Sequence, residues 1–115
     1  MPSQVLLVDD DAGFRALARR MLEALGLVVV GEAGTVAAAM SAARALEPDA
    51  ALVDVGLPDG DGVELAGALA ALPWSPRVVL TSSDPDAASS TAVGRVFVAK
   101  ADLPNVPLAQ LLASA

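Results

Sequence analysis

Neither cysteine nor histidine occurs in these 115 residues. The first absence excludes a disulfide framework and thiolate chemistry; the second removes the commonest catalytic base and any role as a phosphohistidine donor. Nucleophilic chemistry therefore falls to carboxylates or hydroxyls. Positive charge is scarce as well. Seven Lys plus Arg stand against fourteen Asp plus Glu, a formal net charge of −7, whereas nucleic-acid binding needs a basic patch. No direct nucleic-acid partner is expected, and the acid excess favours cations. No apolar run approaches the roughly 18 residues needed to span a bilayer, and Met1-Pro2-Ser3-Gln4 places no basic segment before a long apolar stretch. No membrane contact is expected, and the expected location is cytoplasmic.

What remains is rich in small and apolar side chains: 55% of residues are hydrophobic and 25 are alanine. That composition suits helices packed closely on a sheet, and the length suits one domain over residues 1–115 with a single core. Short apolar runs recur at Val5 to Val8, Leu27 to Val30, Ala50 to Val53, Val78 to Leu80 and Val96 to Val98. Each reads as a strand buried on both faces. Between them, Phe14, Leu17, Ala18, Met21, Leu22 and Leu25 form the apolar stripe of a first helix ending at Gly26. A second helix is expected from Thr35, as N-cap, toward Leu46, stopping before Pro48. A third should start near Asp61 and end before Pro73. The segment Asp84 to Val93 predicts a short or frayed fourth helix, because Ser89, Ser90 and Thr91 are mediocre helix formers. A last helix is expected around Pro107 to Leu112. Trp74 is read as a packing residue.

Strands alternating with helices require right-handed crossovers, hence a parallel sheet with helices on both faces. Sites in such α/β sheets form at the carboxyl ends of the strands. Asp9 and Asp10 follow the first run, Asp54 ends the third, and Thr81 and Lys100 end the last two. These five should converge on one crevice. Three carboxylates in a small volume call for a compensating cation, and a donor set of oxygens alone matches magnesium, Mg2+.

The ordered set resembles the receiver domain of bacterial two-component response regulators, over essentially the whole chain. Leu6-Leu7-Val8-Asp9-Asp10-Asp11 resembles that family's first strand and acidic pocket, and Asp54-Val55-Gly56-Leu57-Pro58-Asp59-Gly60-Asp61-Gly62 its phosphorylation loop. Thr81-Ser82-Ser83 and Phe97-Val98-Ala99-Lys100 fit the remaining signatures. The resemblance implies a flavodoxin-like, doubly wound five-stranded parallel sheet of order 2-1-3-4-5. It implies that Asp54 accepts a phosphoryl group from a sensor histidine kinase. Asp10, Asp54 and the Gly56 carbonyl would hold Mg2+, with Asp9 acting through water, while Thr81 and Lys100 grip the phosphoryl oxygens. Thr81 and Phe97 would form the switch: as the hydroxyl turns to the phosphoryl oxygen, the aromatic turns inward and reshapes the fourth-helix, last-strand and last-helix face. A homodimer through that face and a C-terminal DNA-binding output domain outside this chain are partners the resemblance admits. No enzyme activity beyond self-phosphorylation and autodephosphorylation is expected. Small residues at Gly56 and Ser83 leave water access to the phosphoryl group, so its hydrolysis should be ordinary rather than very slow.

Taken singly these residues are ordinary. Asp9 to Asp11 could cap the first helix, Lys100 is a typical surface residue and Gly56 to Gly62 is turn chemistry. Their order at four strand ends is what carries the reading. A haloacid-dehalogenase-like phosphatase shares the strand followed by Asp-x-Asp, but expects Thr or Val where Gly13 stands. The first strand also resembles a Walker B strand, yet no G-x-x-x-x-G-K-[ST] loop is present. A degenerate receiver used only for docking or dimerisation would typically have lost the acidic pocket kept here. Two departures stand out. Ala101 replaces the cis proline that often follows the lysine, so a trans or strained peptide is expected. The stretch before Phe97 is also short.

Overall fold

A computed structural model describes residues 3–83 and 96–112. Five parallel strands form one sheet: β1 (Gln4–Val8), β2 (Val28–Ala33), β3 (Ala50–Asp54), β6 (Arg77–Ser82) and β7 (Val96–Ala99). Their spatial order is β2-β1-β3-β6-β7. A separate antiparallel pair, β4 (Gly56–Leu57) and β5 (Gly60–Asp61), accounts for the numbering. With it set aside, the order is the expected 2-1-3-4-5, and the chain reverses direction across the sheet between β1 and β3.

Strand parity divides the core. Val5, Leu7, Ala50, Leu52, Val79 and Val98 point to one face, where they pack with Ala18 and Leu22 of α1 (Ala12–Ala24) and Leu108 of α4 (Leu108–Leu111). Leu6, Val8, Ala51, Val53, Val78 and Leu80 point to the other. There they meet Ala39 and Ala43 of α2 (Val36–Leu46) and Leu65, Ala66 and Leu69 of α3 (Gly62–Ala70). Each fully buried leucine contributes about 1.5–3 kcal/mol relative to an exposed one. The two-sided burial explains why the strands read as unbroken apolar runs instead of alternating ones.

The helix ends follow from capping chemistry. Asp11 accepts the Phe14 amide at 3.2 Å, Thr35 that of Ala38 at 3.0 Å, and Asp61 that of Val63 at 2.8 Å. Helix α1 closes through Leu25 and Gly26, whose φ of 86° suits glycine. Helix α2 ends at Glu47, in the left-handed region, directly before Pro48. Trp74 packs as expected and donates its indole N–H to the Pro48 carbonyl at 3.0 Å.

Several bounds differ from expectation. Strand β2 begins at Val28 and continues to Ala33 instead of stopping at Val30, because Gly31, Glu32 and Ala33 pair with Leu6, Leu7 and Val8. Pairing with a central strand overrides the weak strand propensity of those three residues. After β7 the chain turns directly into a 3-10 helix, Lys100–Asn105. The Lys100–Ala101 peptide is trans. The fourth helix expected over Asp84 to Val93 lies outside the described residues.

Candidate functional site

Parity also builds the site. Asp9 continues the Val5, Leu7 series; Asp54 continues Ala50, Leu52; Thr81 follows Val79; Lys100 follows Val98. All four therefore stand at the carboxyl ends of their strands on the α1 side of the sheet. Asp54 and Thr81 are register partners, and the Val55 amide donates to the Thr81 carbonyl at 3.0 Å. Phe97 has the opposite parity. It pairs with Leu80 and packs, half-buried, against the α2–α3 side.

The polar groups converge. Asp9 is only 2% exposed and Asp54 8%, whereas Asp10 is exposed. One carboxylate oxygen from each of the three lies within 4.8 Å of the others. Lys100, the single lysine of the chain, places Nζ 2.7 Å from Asp9 Oδ2 and 3.7 Å from Asp54 Oδ2. At 2.7 Å the ammonium is the ion-pair partner of the buried Asp9 Oδ2. Asp9 Oδ1 accepts the Asp11 amide at 2.8 Å, and Asp54 Oδ1 accepts the Gly56 amide at 3.2 Å.

Burial pushes the Asp54 carboxyl above its ordinary value. The Gly56 amide opposes that shift, the charge of Asp9 adds to it, and the attraction of Lys100 is a smaller influence than burial. Burial works against the Lys100 ammonium too, but Asp9 and Asp54 together hold its pKa above the usual lysine range. Three carboxylates against one ammonium leave two negative charges uncompensated. A hard dication fits that deficit and that all-oxygen donor set. Asp9, Asp10 and Asp54 form a group that could hold one.

Four further residues shape the crevice without a signal that sequence reasoning used. Arg15 donates from its guanidinium to the Asp9 carbonyl, and its Nε pairs with Glu32 at 3.1 Å. Arg19 pairs with the other oxygen of Glu32 at 2.8 Å. The i, i+4 spacing of the two arginines marks one helix face, but nothing local shows that Glu32 on β2 completes it. Phe14, on the first turn of α1, lies under the Lys100 ammonium, 4.1 Å from the ring centroid.

A doubly wound parallel sheet with an acidic crevice at its switch point defines a class of ligand-binding α/β proteins. Within that class the chain belongs to the response regulator receiver domain family, whose model matches residues 5–101. It is 43% identical over 95 residues to the DNA-binding transcriptional activator DevR/DosR of Mycobacterium tuberculosis, covering 78% of this chain and 42% of that protein. It is 40% identical over 84 residues to a putative transcriptional regulator of Pseudomonas aeruginosa, covering 72% and 41%. The chain thus spans about two fifths of the length of these relatives. Among solved structures, the receiver domain of the putative response regulator NarL from Mycobacterium tuberculosis superposes with a TM-score of 0.77 at 32% identity, covering 90% of this chain and 88% of that one. RcsB from Salmonella enterica, solved on promoter DNA with the phosphomimetic BeF3−, shares the fold at a TM-score of 0.81 and 22% identity, covering 96% and 66%. No helix among the described residues is long and apolar enough to cross a membrane.

Proposed function

We propose that this chain is a phosphoacceptor switch in which Asp54 takes a phosphoryl group from a phosphohistidine of a sensor histidine kinase. The observation that carries the reading is the placement of Lys100 Nζ between Asp9 and Asp54, beside a triplet of converging carboxylates. An Asp54 oxygen attacks phosphorus, the O–P bond forms as the P–N bond of the phosphohistidine breaks, and the imidazole leaves with its electron pair. Phosphoryl transfer depends on in-line placement and on cations around the equatorial oxygens. Lys100 supplies one such cation. Asp10, Asp54 and the Gly56 carbonyl, with Asp9 acting through water, would hold magnesium, which would supply the remaining neutralisation. The acyl phosphate is later cleaved by water attacking phosphorus, which returns the carboxylate and releases inorganic phosphate. Gly56 and Ser83 are both exposed, which supports ordinary water access to that bond.

Thr81 completes the phosphoryl pocket on this reading. Its Oγ1 is buried and has no hydrogen-bond partner among the described residues, so it is free to bond an arriving phosphoryl oxygen. Phe97, half-buried on the neighbouring strand, is then the second half of the switch. The whole chain, 1–115, acts as one receiver unit with no activity on substrates other than its own phosphoryl group. Its setting is the cytoplasm. The names of DevR/DosR and of the Pseudomonas relative support transcription as the output; a DNA-binding output domain and a homodimer through the fourth-helix, last-strand and last-helix face belong to the same reading.

The test is incubation with acetyl phosphate and magnesium, followed by intact mass, on wild type and Asp54→Ala. We expect a magnesium-dependent gain of one phosphate in wild type only. A phosphate retained by Asp54→Ala would overturn the assignment.

A further inference from the structure

Lys100 is the first residue of the 3-10 helix that follows β7. Its ammonium sits at the end of a flexible four-carbon stem. Two carboxylates draw it into the crevice from one side. It also stands over the ring of Phe14, whose centroid is 4.1 Å from Nζ. An ammonium over an aromatic face is attracted by the ring quadrupole, more strongly where water is displaced. Here the lysine side chain is only 18% exposed.

The residue that carries the ring is itself anchored. Phe14 packs half-buried against the α1-side core, and its amide donates to Asp11 Oδ1 at 3.2 Å. The Asp11 amide donates in turn to Asp9 Oδ1 at 2.8 Å, and Asp9 Oδ2 faces Lys100 Nζ at 2.7 Å. These contacts form a closed circuit: Asp9, Asp11, Phe14, Lys100 and back to Asp9. Any displacement of the ammonium must break one of its links.

We propose that Phe14 is a positioning residue that fixes the Lys100 ammonium where it meets the incoming phosphoryl oxygens. Its consequence for phosphoryl transfer rests on the phosphoacceptor reading of Asp54; the position of the ammonium does not. An aliphatic residue of similar volume would fill the core but would not attract the cation.

Two measurements test this on the full chain. Because Lys100 is the only lysine, a sample labelled at lysine Cε gives one methylene signal. We expect the attached protons to be shifted upfield by the ring current in wild type and in Phe14→Tyr, and to return to the free-lysine position in Phe14→Leu. A free-lysine shift in wild type would overturn the proposal, whether or not Asp54 takes phosphate. The second measurement is the rate of phosphorylation by acetyl phosphate with Phe14 replaced by mono-, di- and trifluorophenylalanine, which weaken the quadrupole while nearly keeping ring size. We expect a stepwise decline of about threefold to tenfold across the series, with magnesium affinity unchanged within about twofold. Phe14→Tyr should keep the wild-type rate. A rate flat across the series would leave Phe14 as core filling and refute the positioning of Lys100 for transfer. A wild type that takes no phosphate would refute the phosphoacceptor reading and this consequence together, while the methylene shift still decides the contact.

Discussion

The carboxylate of Asp59 meets the amide of Val36 at 2.7 Å, across 23 residues of sequence. A second oxygen accepts the Ala37 amide at 3.2 Å. Thr35 serves the amide of Ala38, so the loop between β4 and β5 supplies the part of the α2 cap that Thr35 does not reach. The Val36 amide, and after it that of Ala37, hold the Asp59 carboxyl below its ordinary value. We expect Asp59→Ala to lower Tm by a few degrees and to speed amide exchange at residues 36 and 37, while Asp54 still takes phosphate. Unchanged exchange at those two amides would show the cap to be idle.

Gly62 offers a sharper test of the loop after Asp54. A Cβ there would stand 2.6 Å from the Val55 Cα and 2.8 Å from the Asp54 carbonyl carbon, both backbone atoms that cannot swing aside. Gly62→Ala should therefore cost about 1–3 kcal/mol of stability and slow phosphorylation by displacing Asp54. Gly56→Ala is the control, because a Cβ at that position meets nothing within 4 Å. Equal stability of the two variants would contradict this account.

Thr81→Val replaces a buried hydroxyl that lacks a partner among the described residues. Removing such a group at constant shape should leave the resting protein as stable or more stable, by up to about 1 kcal/mol. The Tm increase that magnesium and BeF3− give the wild type should shrink in the variant. A full increase in Thr81→Val would remove the hydroxyl from the phosphoryl pocket.

Glu32 carries the pH dependence of the β2 edge. The hydrogen bond from Arg19 is the largest influence on it, and Arg15 assists; together they outweigh burial and hold its pKa below the ordinary 4.5. A lowered folded-state pKa means that the unfolded chain binds the proton more tightly, so stability falls with falling pH. The contribution is complete above about 4.5 and is lost as pH drops through the lower folded value. Because the pair is partly solvated, the effect is modest and is weakened by salt. Comparing Tm of wild type and Glu32→Gln, we expect a gap at pH 7 that closes toward pH 3. A gap that widens on acidification would reverse the sign.

Much of this was legible in the chain itself. Runs such as Val5 to Val8 and Ala50 to Val53 announce strands because both faces of the sheet are covered, and Thr35 and Asp61 announce helix starts because a short oxygen-bearing side chain satisfies free amides there. Parity then carries Asp9, Asp54, Thr81 and Lys100 to one side without further information. What stayed hidden depends on side chains meeting across long separations. Asp59 looks like one more turn residue until α2 is laid beside it, and Gly62 looks like turn chemistry until the backbone of Asp54 passes it. Phe14 reads as one position in an apolar stripe, since nothing in its neighbourhood of the sequence reveals a cation arriving from residue 100. The 3-10 turn after Lys100 escaped notice because Pro104 argues against a regular α-helix there and no periodic pattern replaces it.

Strand β3 lies in the middle of the sheet with every one of its residues buried, while the adjoining β4–β5 ladder is two residues long and largely exposed. Local opening free energy rises with burial and falls with exposed pairing. Amides of Leu52 and Val53 should therefore exchange only through global unfolding, and those of Gly56 and Gly60 through frequent local excursions. Asp54 is mounted at the boundary between these two regimes, its backbone held by the central strand and its carboxylate bonded to the first amide of the loop that opens most readily.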